Sequence, residues 1–145
     1  MVRRRTTARV VADSGLPWTT VRATQFHDLM LKTIRVMAKM PIVTVPSGFR
    51  FQPVDTGEVA TRLVELALGE PSGLVPDLGG PRVYETKELV RSYLRATRKH
   101  RLIMPVRVPG KAAGALRAGA NLAPGHATGH RTWEDFLAER LARIP

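Results

Sequence analysis

The chain has 145 residues, a formal net charge of +11, 43% hydrophobic and 24% charged residues, and no cysteine. That length suffices for one packed core, and the composition is that of a globular protein rather than a disordered one. The lack of thiols excludes disulfide scaffolds, thiolate zinc sites and cysteine nucleophiles, and no apolar run approaches the roughly 20 residues needed to cross a bilayer.

Thr6–Asp13 reads as a short helix closed by Ser14-Gly15, and Pro17 forbids its continuation. Trp18–Val21, continuing to Arg22, is rich in β-branched and aromatic residues and is expected to be a strand. From Phe26 the period changes. Phe26, Leu29, Met30, Thr33, Ile34 and Met37 fall on one helical face, and Pro41 ends that helix.

Ile42–Val45 and Phe49–Val54 are strand candidates around the turn Pro46-Ser47-Gly48. Asp55 with Glu58 matches a capping box, opening a helix that should bury Val59, Leu63, Val64 and Ala67 before Gly69-Glu70-Pro71. Leu74–Leu78 is a strand and Gly79-Gly80-Pro81 a tight turn. Thr86–Arg98 is a helix presenting Leu89, Val90, Tyr93 and Leu94, and Leu102–Val108 is the last strand. A small-residue helix over Lys111–Ala118 and a Gly- and His-containing loop follow. The final helix is capped by Thr132 and Asp135, with Trp133, Phe136, Leu137 and Leu141 as its apolar stripe. Alternating strands and helices give an α/β class, with no repeat or linker dividing the chain.

The charge is the compositional outlier. It concentrates at Arg3, Arg4, Arg5 and Arg9, and again at Arg95, Arg98, Lys99 and Arg101. Neither cluster interleaves aromatics that stack on bases, and cations in a last helical turn complement the helix dipole. Nucleic acid is therefore the lesser expectation. The basic start lacks the continuous apolar run of a secretory signal, so a cytoplasmic protein is expected.

The run Ser14–Asp28, S-G-L-P-W-T-T-V-R-A-T-Q-F-H-D, closely resembles the sixth-strand region of atypical short-chain dehydrogenase/reductases, the NmrA-like NAD(P)-binding proteins. Phe51-Gln52-Pro53-Val54-Asp55 with Glu58-Val59-Ala60 resembles that family's strand-then-helix motif on the substrate side. Asp77-Leu78-Gly79-Gly80-Pro81 resembles its late strand and turn. Met104-Pro105-Val106, Pro109-Gly110 and Arg131–Phe136 resemble its ending. The resemblance implies an incomplete Rossmann-like sheet, the C-terminal half of an NAD(P)-binding domain, with helices and short substrate-side strands, and residues 1–145 as a single unit.

Within that resemblance, Ala23, Thr24, Gln25 and Phe26 fall nearest the nicotinamide, and His27, Gln52 and Pro53 on the substrate side. Gln25 is then placed to bond a carboxamide or substrate oxygen and Phe26 to pack on a ring. The competing reading makes Phe26 part of the helix face, Gln25 a solvated cap and Gln52 an edge-strand polar residue. The family's cofactor, NAD(P), and a small-molecule substrate are implied in the same way.

The departures are specific. No Gly-rich phosphate loop stands between a strand and a helix, and no acidic residue follows one to hold a ribose. Tyr84 and Tyr93 are followed four residues on by Glu88 and Thr97, so no Tyr-x-x-x-Lys pair exists and no catalytic residue is assigned. The expected protein is an oxidoreductase-like piece inactive by itself, poorly soluble or oligomeric, whose partner is a missing N-terminal half or a second copy. A non-catalytic redox-sensing module is the alternative.

Other chemistry finds less support. Pro109-Gly110-Lys111 has Pro105 and Ala112 where a phosphate loop needs Gly and Ser or Thr. His126 and His130 are four apart but lie among glycines with neither Cys nor a nearby Glu to complete a ligand set, which favours a flexible loop over a metal pair. His27 and Asp28 are adjacent on a helix and point in different directions, and no Ser-His-Asp arrangement appears.

Overall fold

The computed structural model describes residues 7–143, so the Arg3–Arg5 cluster lies outside the described residues. Helix α1 spans Thr7–Ala12, where the Ser14 hydroxyl donates to the Val11 carbonyl at 2.6 Å and Gly15 turns the chain at φ +77°. Strand β1, Thr19–Thr20, pairs in parallel with β4, Gly73–Leu74, and the same direction continues to an Ala23–Leu78 bridge. Trp18, Thr20 and Arg22 give their carbonyls to this partner. Strand alternation therefore sends the backbone groups of Thr19, Val21 and Ala23 to the opposite edge. Among the described residues β1 has only the one neighbour.

Helix α2, His27–Met37, buries His27, Met30, Leu31 and Ile34. The expected face is rotated: Leu29 and Phe26 are exposed, and His27 and Leu31 take their place inside. The helix begins at His27, and the stripe His27, Met30, Leu31, Ile34, Ala38 follows the helical period onto the core.

Strand β2, Ile42–Pro46, alternates exposed and buried residues and runs parallel to β6, Leu102–Val106. Strand β3, Arg50–Phe51, is antiparallel to β5, Tyr84–Glu85. The two segments flanking Pro46-Ser47-Gly48 thus pair with distant strands and not with each other. Pro105 is tolerated in β6 because that strand has an unpaired edge among the described residues.

The core lies where α2, β2, α4 (Thr86–Thr97) and α6 (Trp133–Ala142) meet. Trp133, Phe136, Leu89, Val90 and Tyr93 are nearly inaccessible, each large apolar side chain contributing roughly 1.5–3 kcal/mol by its removal from water. The Trp133 indole donates to the Leu89 carbonyl at 3.2 Å, which satisfies its one polar atom. The Thr132–Asp135 capping box opens α6 as expected.

Helix α3, Thr56–Leu68, departs from expectation. Asp55 accepts from the Glu58 amide, but only Val59 is buried, and Leu63, Val64 and Leu68 stand exposed. Their periodicity is real, yet no described element covers that face. Helix α5, Lys111–Arg117, and a short 3₁₀ turn over Pro124–His126 complete the described chain. No helix among the described residues is long and apolar enough to cross a membrane.

Candidate functional site

The segment Arg22–His27 leaves β1 at the end where Leu78, Gln52–Val54 and the loop Asn121–Ala123 converge. Thr24 donates its amide to the Leu78 carbonyl at 3.1 Å, and its hydroxyl donates to the Gln52 carbonyl and accepts from the Gly80 amide at 3.2 Å. The Val54 amide bonds the Gln25 carbonyl at 2.8 Å, and the His27 amide bonds the Val54 carbonyl at 3.1 Å. Three distant stretches are thereby tied to one loop.

Gln52 is the hub. Its side-chain NH₂ donates to the carbonyls of Gly80 at 2.8 Å and Ala123 at 3.1 Å, and its Oε1 accepts from the Ala123 amide at 2.7 Å. It is fully buried, so this amide organises the loops from beneath and does not face solvent. A Cβ on Gly80 would lie 1.7 Å from the Pro53 carbonyl oxygen, and one on Gly79 would lie 2.5 Å from the Gln52 Nε2. The two glycines are required by this approach, not merely by a turn.

A cavity of about 200 Å³ opens above the network, with Arg22, Ala23, Thr24 and Gln25 on one side and Asn121 and Ala123 on the other. The Gln25 side chain donates to the Asn121 carbonyl at 3.2 Å and accepts from the Gln52 amide at 3.3 Å. It is neither a solvated cap nor a wholly free donor. One N–H and one lone pair of its amide are already engaged. Arg22 reaches Asp77 at 3.1 Å across the cavity's rim.

The structure thus brings Ala23, Thr24 and Gln25 together around one opening. Phe26 does not line it; this residue is bridged to Val54 and partly exposed. Gln52 and Pro53 sit below it, both buried. His27 points the other way, stacked at 5.1 Å on Phe136 and 6.1 Å on Trp133. Its Nε2 donates to the Arg131 carbonyl at 2.9 Å, leaving Nδ1 buried without a partner among the described residues. Burial holds its pKa below the usual histidine value, so the ring is neutral near pH 7.

Tyr84 is equally committed. Its hydroxyl donates to Glu134 at 2.6 Å, and burial followed by that carboxylate pushes its pKa well above the usual phenol value. A proton held this way does not serve acid catalysis at neutral pH.

Sequence reasoning missed Asn121 and Ala123, and missed what Glu58 and Arg131 bond. The Glu58 carboxylate accepts from the amides of His130 and Arg131, at 3.1 and 2.9 Å, rather than completing a capping box. Arg131 in turn reaches Asp55 at 2.9 Å. These bonds pin the loop before α6 against the start of α3. They border a second, open cavity of about 450 Å³ beside Asp77. No local pattern marks them, because each is a bond between residues far apart in sequence.

No family model and no curated protein matches the chain. Solved structures do share its fold. A nucleoside-diphosphate-sugar epimerase from Staphylococcus aureus superposes with a TM-score of 0.62 at 17% identity, covering 90% of this chain and 55% of its own. An NADPH-dependent quinone oxidoreductase from Escherichia coli gives 0.71 at 13%, covering 93% and 59%. A UDP-glucose 4-epimerase from Thermus thermophilus, in complex with NAD, gives 0.61 at 14%, covering 94% and 50%. The chain has a partial Rossmann-like α/β fold and spans about half the length of such structures.

Proposed function

We propose that this chain is the nicotinamide- and substrate-side portion of an NAD(P)-dependent oxidoreductase of the short-chain dehydrogenase type, inactive until joined by a polypeptide that supplies the phosphate-binding half. The observation that carries this reading is the open parallel edge of β1, which runs directly into the ligand loop Ala23–Gln25 and its cavity. Ligands of open α/β sheets sit outside the carboxyl ends of the strands, where this loop lies.

In this reading the partner's terminal strand pairs with Thr19, Val21 and Ala23. The recess of about 350 Å³ between Trp18 and Val21 of that edge and Leu63, Leu66 and Ala67 of α3 receives its side chains. NAD(P) then lies across the joint, its phosphates on the partner's Gly-rich turn and its nicotinamide by Ala23–Gln25. The free N–H of Gln25 and the Arg22–Asp77 pair are the polar groups this chain offers a cofactor amide or a small substrate. Phe26, His27, Gln52 and Pro53 support that loop. The partner, not this chain, decides between NAD and NADP, and a cytoplasmic location goes with this reading.

A non-catalytic module that senses the nicotinamide redox state uses the same site, and its motivation is that Tyr84, held on Glu134, is not available as an acid. Turnover by the assembled protein separates the two readings.

The test is to read the DNA upstream of Met1 in all frames for a Gly-rich βαβ unit, and to co-express that unit with this chain. Co-purification is expected, and its loss in Val21→Pro, which removes an outward-facing N–H without breaking the β1–β4 pair, locates the joint. No such unit upstream, or co-purification indifferent to Val21→Pro, overturns the proposal.

A further inference from the structure

The remaining basic cluster is concave. At the N-terminal end of the β2–β6 pair, a cleft of about 470 Å³ is lined by Arg91, Arg95, Lys99 and Arg101, with Leu94 and Ile103 among its apolar walls. Among the described residues no carboxylate lines it. Other cations, Arg35 and Arg50 among them, also lack a carboxylate partner among the described residues, but these four share one concavity. Arg22, Arg62, Arg82, Arg131, Arg140 and Arg143 each reach a carboxylate, whereas these four cations reach none among the described residues. Glu88 and Glu134 border the neighbouring recess, but they are held by Arg82 and, for Glu134, by the Tyr84 hydroxyl.

The arrangement is built rather than incidental. Arg91 and Arg95 are one helical turn apart on α4, a spacing at which like charges repel. Arg98 then turns the chain with φ 56°, making it the one non-glycine residue in the left-handed region among those described. Such a conformation is unfavourable for a residue that carries a Cβ. Its effect is to double the chain back, with the Lys99 amide on the Leu94 carbonyl at 3.0 Å, so that Lys99 and Arg101 face the arginines of the preceding turns. Arg101 is fixed there, its Nε on the Ala38 carbonyl and its Nη1 on the His100 carbonyl, both at 2.9 Å. The Lys99 ammonium lies 5.8 Å over the Tyr93 ring.

We propose that this cleft binds a small ligand through a di- or polyphosphate group, at a site separate from the Ala23–Gln25 loop. Several cations around one concavity suit a multivalent anion, and guanidinium forks match phosphate oxygens in pairs. The volume is that of a small-molecule site. Nucleic acid fits less well, because Tyr93 is buried and His100 is the one aromatic ring among the described residues that line the cleft.

Isothermal titration of the full chain with inorganic pyrophosphate, at about 150 mM salt to screen diffuse attraction, tests this. Saturable one-site binding is expected. Arg95→Gln and Arg91→Gln should each weaken it about tenfold, the scale of one charge-assisted contact. Arg143→Gln, outside the cleft, should leave it within about twofold, as surface charges do when screened, with far-UV circular dichroism confirming that each variant is folded. Three outcomes overturn the proposal: no saturable binding, equal weakening by Arg143→Gln, or tighter binding of a short DNA duplex that survives Arg91→Gln and Arg95→Gln. None of them bears on the dehydrogenase reading, whose site and partner are elsewhere.

Discussion

Replacing Gln52 with leucine removes the side chain that ties Gly80 to Ala123 beneath the Thr24 loop. The change is close in volume, so packing is largely preserved and the loss is polar. Two buried groups are left without a partner, the Gly80 carbonyl and the Ala123 amide, while the Ala123 carbonyl keeps its bond from the His126 amide at 2.9 Å. An unsatisfied buried group costs about 1–3 kcal/mol. Relaxation of the loop recovers part of that, and roughly 2–4 kcal/mol remains, a substantial share of the 5–15 kcal/mol typical of a domain. Urea unfolding followed by fluorescence of the fully buried Trp133 measures the loss, and hydrogen exchange at the Ala123 amide locates it. Gln52→Glu, which keeps the acceptor and, while protonated, one of the two donors, should fall between the wild type and Gln52→Leu at low pH and destabilise further as the carboxylate ionises. A loss below about 1 kcal/mol for Gln52→Leu would refute the reasoning, because it would mean that the network does not hold the loops together.

Three further outcomes follow from the same geometry. Gly80→Ala places a methyl group against the Pro53 carbonyl and should abolish cooperative unfolding, whereas Gly125→Ala, with nothing within 4 Å, should change the urea midpoint little. His27 has a lowered pKa from burial, so the unfolded chain binds its proton first. Stability should be full above the unfolded value of about 6.5 and fall as pH drops below it, each unit of separation being worth about 1.4 kcal/mol; His27→Asn should flatten the curve. Leu63→Lys with Leu68→Lys on the exposed face of α3 should raise the solubility of the isolated chain without lowering its urea midpoint, read by sedimentation and unfolding in parallel.

Much of the fold was legible because its signals are local. Pro17, Pro41 and the Thr132–Asp135 box punctuate helices wherever they occur, and Leu89, Val90, Tyr93 and Leu94 lie on one face by period alone. What escaped depends on contacts across the chain. The pairing of β2 with β6 and of β3 with β5 joins segments separated by other elements, and nothing in Ile42–Val54 names those partners. The burial of His27 follows from Trp133 and Phe136, which the α2 pattern cannot see. Leu63 and Val64 carry the period of a buried face, yet they stand in solvent because burial needs a second surface as well as a stripe. In the candidate site, Ala23–Gln25 was reached through the resemblance of Ser14–Asp28. Asn121 and Ala123 come from an irregular loop with no periodicity to read.

The most direct test of the central claim is a fluorescence titration with NADPH, run on this chain alone and on its complex with a co-expressed Gly-rich βαβ unit. The chain alone should show no saturable binding at micromolar ligand, and the complex should bind saturably. Saturable binding by the chain alone would contradict the claim.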